Sequence, residues 1–194
     1  MLNSIIKNRN FVFLWFGHLI SHAGDAVYMI ALPWLMLDLT GSKSLTSLVA
    51  TSAYIPAVLF GLTAGVVVDR YNRKWIMICS DITRAVLVVV IPVSIIFNFI
   101  TPMLIGCVTF LLSSFATFFY PARDSLIPHI TSNEELPAAN SAISISGQMS
   151  HLLGPIFAGV GISFFGLTHL FTADAVSFLF SILFISLIVT PSSR

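Results

Sequence analysis

Gly65-Val-Val-Val-Asp69-Arg70-Tyr-Asn72-Arg73-Lys74 packs four charged side chains into ten residues, in a chain of 194 that holds only nine basic and eight acidic ones. Long apolar runs lie on either side of it, Ser44 to Val68 before and Trp75 to Phe99 after. Charge this dense cannot sit in hydrocarbon, where no water solvates it. The stretch therefore reads as a tight aqueous turn between two membrane-spanning helices.

The composition agrees with that reading. Mean hydropathy is +0.96, and 57% of residues are hydrophobic against 9% charged, where a soluble domain carries about 25% charge. A formal charge of +1, with the cations outside the turn and the N-terminal segment scattered singly, does not make the clustered basic surface that nucleic acid requires. Cys79 and Cys107 fall inside apolar runs and read as small packed hydrophobes, with no disulfide expected. Lys7 and Arg9 before Phe-Val-Phe-Leu-Trp-Phe could open a signal peptide. No clean cleavage site follows, however, and apolar character persists to Leu37, so a first transmembrane helix is the better reading.

At about 20 apolar residues per crossing, the chain reads as an all-α membrane protein of six transmembrane helices, one membrane unit over residues 1–194. The spans run from Phe11 to Leu37, Ser44 to Val68, Trp75 to Phe99, Pro102 to Tyr120, Pro137 to Phe164 and Leu167 to Val189. These runs are too long for the strands of a barrel. Lys7, Arg9, Arg70, Arg73, Lys74, Arg123 and Arg194 fall on one side of this arrangement and Lys43 alone on the other, which places both termini in the cytoplasm of a multi-pass cell-membrane protein. The long link from Pro121 to Leu136 lies on the same side, and its Thr131-Ser-Asn-Glu-Glu135 has the character of a helix cap.

Gly65, then Asp69-Arg70, then Arg73-Lys74 resembles the loop between the second and third helices of major facilitator superfamily transporters. Three helices, a longer inner link and three more helices is the plan of one six-helix half of that fold, a 3+3 inverted repeat, although no internal repeat is legible in the sequence. The second half is missing from these residues. The resemblance implies that Gly65, Asp69, Arg70, Arg73 and Lys74 form a conformational latch, in which Asp69 and the basic residues pair with neighbouring helix ends. The alternative is a topogenic charge cluster worth about 1 kcal/mol per cation at an anionic leaflet. Asn72 stands where the family has Gly, and Asn tolerates a left-handed backbone well enough to keep the turn.

Small residues mark close helix contacts. Gly61 and Gly65 are spaced for one on the second span. Ser146, Ser150, Gly154 and Ala158 recur every four residues on the fifth, with Gly147 and Gly159 alongside and a kinking Pro155. Ser150-His-Leu-Leu-Gly154-Pro155-Ile-Phe-Ala158-Gly159 resembles the fifth-helix signature of exporters in the superfamily, with Ser150 and Ala158 in place of glycines. Phe119-Tyr-Pro121-Ala-Arg123-Asp124-Ser-Leu-Ile-Pro128 is similar to the link after the fourth helix in the same branch, where Arg123 and Asp124 are placed to meet the Gly65 turn. As exposed charges they would contribute little to such a contact.

Ionisable residues inside spans are costly, on the order of 3 kcal/mol or more at the bilayer centre, and so mark a path or coupling site. Asp25 lies about 21 Å along the first helix from Phe11, with His22 on the same face. Gly24-Asp25 leading into Ile-Ala-Leu-Pro resembles the macrolide-efflux and siderophore-export branch. A structural hydrogen bond between helices is the plainer account of Asp25. Arg84 has Asp81 one turn before it, either as a self-contained ion pair or in a substrate role. Gln148 and His151 share a face of the fifth helix, and Asp174 lies in the outer part of the sixth.

No phosphate-cradling loop with a lysine is present, and His18, His22, His151 and His169 lack Glu or Cys partners at ligand spacing, so no enzyme, cofactor or metal site is expected. The expectation is an exporter half that moves a hydrophobic small molecule, macrolide-like or siderophore, against proton entry. Asp25 would carry or sense the proton, and helices one, four and five would line the path. The partners are the bilayer, the substrate, and a second copy or the missing C-terminal half. The alternative is a non-transporting remnant or an assembly subunit.

Overall fold

A computed structural model describes residues 5–189, so Arg194, counted above among the inner cations, lies outside the described residues. Among the described residues seven helices follow one another: α1 Arg9–Thr40, α2 Lys43–Ser52, α3 Ile55–Arg70, α4 Arg73–Ile96, α5 Pro102–Ile130, α6 Leu136–Phe165 and α7 Leu167–Ser186. With α2 and α3 taken together as the second span, six segments among the described residues are long and apolar enough to cross a membrane. No strand occurs among the described residues.

Two span boundaries differ from the sequence expectation, and proline explains the first. The second span breaks at Ala53 and Tyr54, just before Pro56. Pro56 has no N–H to donate to the Ser52 carbonyl, and its ring crowds that carbonyl, so the helix cannot run through unbroken. The fourth span, by contrast, runs ten residues past Tyr120, straight through Pro121 and up to Ile130. Phe119, Ala122, Leu126, Ile127 and Ile130 keep the helical apolar period there and are all buried, so tertiary burial outweighs the lost hydrogen bond. At 29 residues this helix is about 44 Å long against a hydrocarbon core of about 30 Å, so one end projects beyond it. The link that remains before α6 is short. In it Thr131 ends α5, while Glu135 Oε2 accepts from Ser132 N at 3.2 Å, half of a capping box.

The turn at Asn72 is also built differently from the expectation. Its backbone is extended (φ −68°, ψ 115°), not left-handed, and its side chain accepts hydrogen bonds from Lys74 N and Trp75 N. Asn72 is the N-cap of α4, which is why an Asn serves where flexibility alone would favour Gly. Left-handed backbone is needed elsewhere, at Gly41 (φ 63°), which ends α1, and a positive φ recurs at Gly166 (φ 80°), the single residue between α6 and α7.

The helices pair in a pattern that repeats. The first span packs on the sixth and the fourth on the third; the first packs on the fifth and the fourth on the second; the third packs on the sixth. Exchanging spans one, two and three with four, five and six returns the same set of pairs. The chain is thus an internal 3+3 repeat, one half of a major facilitator fold. Two apolar cores form inside it. One, with Tyr28, Leu32, Met36, Ile91, Ile105 and Phe171, lies toward the α1–α2 link. The other, with Phe11, Met77, Phe119, Ile127 and Ile185, lies toward the Asn72 turn. Spans two and five are the least enclosed, with 17% and 22% of their most apolar windows buried, against 50% for span three. Val58 and Leu62 on α3 and Ile156 and Phe157 on α6 face outward, as do Cys79 and Cys107, which were expected to be packed.

Candidate functional site

The buried polar side chains gather between the two apolar cores. α1 presents His18, His22 and Asp25 at helical spacing on one side. The Arg84 guanidinium reaches across from α4 and donates through Nη2 to Asp25 Oδ1, closing an ion pair between the first and third spans. Tyr120 on α5 adds a long hydrogen bond from its hydroxyl to Asp25 Oδ2, 3.4 Å. Phe178 of α7 lies beneath the guanidinium, its ring centre 4.2 Å from Cζ. Arg84 and Asp81 are therefore not a self-contained pair. Asp81 is 3.5 Å from Arg84 Nη1, and both of its carboxyl oxygens are buried without a hydrogen-bond partner. The forked guanidinium turns Nη2 to Asp25 and Nη1 toward Asp81, which makes the pairing between spans available.

This pair forms part of the wall of a cavity of about 480 Å³. His22, Asp25 and Tyr28 of α1, Tyr54 and Gly61 of the second span, Thr109 and Tyr120 of α5, His151 of α6 and Asp174 of α7 also line it. Most of the lining is apolar, and Tyr28 and Thr109 satisfy one another through a 2.9 Å hydroxyl contact. Of the six intramembrane residues singled out in the sequence, the structure brings five to this cavity. Gln148 is exposed and lies outside it. The second span supplies more of the wall than the fifth, contrary to the sequence expectation. Among the described residues no group of three or more His, Cys, Asp or Glu is placed to hold a metal ion.

Sequence reading passed over His18 and Tyr120. His18 is 1% exposed; its ring stands edge-on to His22 at 5.1 Å, and His22 is edge-on to His151 at 5.2 Å. The i, i+4, i+7 spacing of His18, His22 and Asp25 was the available signal. His18 Nε2 accepts from Arg123 Nη1 at 3.0 Å, while Arg123 Nε and Nη2 donate to Asp124 Oδ1. Arg123 and Asp124 thus turn to each other and to α1. They do not reach the Gly65 turn, because the continued α5 helix fixes their direction.

At that turn the pairings are backbone ones. Lys74 Nζ donates to Ser186 O and Ile188 O, both at 2.7 Å, and caps the end of α7. Asn10 accepts from Val189 N and donates to Val189 O, tying α1 to the same point. Asp69, Arg70 and Arg73 form no ion pair among the described residues. Close packing is uneven along the small-residue stripes. Ser146, Ser150, Gly154 and Ala158 are all buried, and a Cβ on Gly154 would stand 2.7 Å from that of Ala26 on α1. Trp15 Nε1 reaches Ser146 Oγ at 2.7 Å. Gly61, Gly65 and Gly159, where close approach was equally expected, have nothing within 4 Å of such a Cβ.

A six-span bundle with an internal repeat and a cavity carrying charged groups between its apolar cores has the architecture of one half of a major facilitator protein. The chain belongs to the transmembrane secretion effector family of that superfamily, whose profile matches residues 4–191. It is 35% identical over 183 residues to the MFS-type transporter YkuC of Bacillus subtilis, covering 91% of this chain and 41% of that one. The multidrug efflux pump Tap of Mycolicibacterium fortuitum is 28% identical over 94% of this chain and 46% of its own length. Macrolide efflux protein A of Streptococcus pyogenes is 23% identical over 93% of this chain and 45% of its own length. The chain spans less than half the length of these relatives.

Proposed function

We propose that the chain forms the N-terminal half of an exporter that carries a hydrophobic small molecule, macrolide-like or siderophore, out of a bacterial cell across the inner membrane, driven by proton entry. The observation that carries this reading is the cavity of about 480 Å³ with the Asp25–Arg84 pair in its mostly apolar wall. Apolar lining takes up the substrate's body, and a few convergent polar groups orient it. A buried ion pair is also a switch, because removing one partner leaves the other charge uncompensated. In this reading Asp25 senses the proton through Arg84, while His22, His151 and Asp174 share the path. The Gly65 to Lys74 turn, held to α7 by Lys74, acts as the gate, and Arg123 and Asp124, bound to each other and to His18 of α1, act with it from the end of α5. The stripe from Ser150 to Ala158, with Pro155 and Gly159, provides the surface along which helices slide.

The remaining half, supplied by a C-terminal partner or a second copy, would cover the outward faces of spans two and five. The relatives' efflux names support export, and their length supports the second half. The test is drug efflux from proteoliposomes containing the 194-residue chain, with and without an imposed pH gradient. Asp25→Asn is expected to abolish efflux while membrane insertion persists. Efflux unchanged in that variant overturns the assignment, and wild-type protein that inserts but moves nothing supports an assembly subunit.

A further inference from the structure

Arg84 is one guanidinium among three carboxyl groups. Asp25 holds it in a direct ion pair, Asp81 stands 3.5 Å from Nη1, and Asp174 shares the cavity wall with the pair. Asp174 and Phe178 lie one turn apart on α7, and Phe178 is the ring beneath the guanidinium. Gly24, next to Asp25, presses against Asp174 Oδ1 and leaves no room for a side chain between them. One cation offsets one carboxylate. A second and third carboxylate in this layer would be buried charges without a counter-ion, which a low-dielectric interior disfavours strongly. Asp81 is 0% exposed with both oxygens unpartnered, and the Asp174 carboxyl, 2% exposed, receives only a 3.5 Å bond from Ser177. Neither has a cation to itself, because Arg84 pairs directly with Asp25. They differ in access, since Asp174 lines the cavity and Asp81 does not.

We propose that Asp174 is the carboxyl that binds and releases the exchanging proton, and that Asp25 responds to it through Arg84. The inference rests on the transport reading and names the group within that site which carries the proton. When the proton leaves the Asp174 carboxyl for cavity water, a carboxylate remains. Arg84 then faces two carboxylates across the cavity and its hold on Asp25 weakens; reprotonation restores the pair. The titratable and charged groups around Asp174 are His22, Asp25 and Tyr28 on α1, Asp81 and Arg84 on α4, and His151 on α6.

Infrared titration of the full chain in lipid vesicles tests this directly. From neutral pH upward the wild type should show two protonated carboxyl bands, one that is lost as pH rises and one that is not. Asp174→Asn should remove the titrating band, and Asp81→Asn the silent one. Should Asp174→Asn fail to fold, Asp174→Glu should shift the titrating band. A titrating band that survives Asp174→Asn, or stays in place in Asp174→Glu, overturns the proposal, as does a wild type with no protonated carboxyl. The band is read without transport. Absent efflux with the band in place therefore counts against the transporter reading alone, and efflux without the band counts against Asp174 alone.

Discussion

Lys74 shows how a charge quoted for its place in a motif acts through a contact the motif does not mention. Its ammonium sits between Ser186 O, at the end of α7, and Ile188 O just beyond it, where a cation also meets the negative end of the helix dipole. Hydrogen bonds to a charged donor at a half-buried site contribute about 1 kcal/mol. Lys74→Met is therefore expected to speed amide hydrogen exchange at residues 186–189 about fivefold, the ratio that corresponds to 1 kcal/mol. Exchange elsewhere in α7 should stay as it was, and equal acceleration along the whole helix would mean that Lys74 supports general packing instead. Asn72 carries a similar lesson, since a residue read as a turn former proves to cap α4.

Within a single helix, α6, chemically similar positions have opposite surroundings. Gly154 lies against the Ala26 backbone of α1, with that residue's carbonyl carbon at 3.2 Å from a built Cβ, whereas Gly159, five residues on, meets nothing within 4 Å. Overpacking a tight contact costs about 1–3 kcal/mol, while Gly to Ala in an open helical position gains up to about 1 kcal/mol. Gly154→Ala is thus expected to lower the thermal midpoint in detergent, and Gly159→Ala to leave it unchanged or raise it. Equal losses in both variants would remove the α1–α6 contact as the cause. The spacing of small residues was legible in the sequence, but which of them meet a neighbour was not, because spacing specifies a face and not what lies opposite it.

For the bundle as a membrane object, the charge distribution predicts a direction. With Cys79 and Cys107 first replaced by Ser, an impermeant maleimide should label Lys43→Cys in intact cells and Tyr71→Cys only after permeabilisation. Both positions are exposed at opposite ends of the second span, so access alone does not decide the result. The reverse labelling would overturn the cytoplasmic placement of the Asn72 turn.

The sequence determined by itself that this is a six-span helical membrane protein, because long apolar runs and a charge-dense turn admit one solution in a bilayer, and the Gly65 to Lys74 motif carried the resemblance to the major facilitator superfamily. It also pointed to Asp25, Arg84 and Asp174, since an ionisable residue in a span is conspicuous wherever it falls. Tertiary structure alone decided their relations. Arg84 pairs across two spans with Asp25 although Asp81 is nearer in sequence, Asp174 joins them from the sixth span, and Gln148 is left outside. The internal repeat likewise became visible only in the pairing of spans. The physical reason is the same in each case: hydropathy is a property of local composition, whereas a guanidinium's partner and a helix's neighbour are set by packing between segments far apart in the chain, as far as Asn10 and Val189.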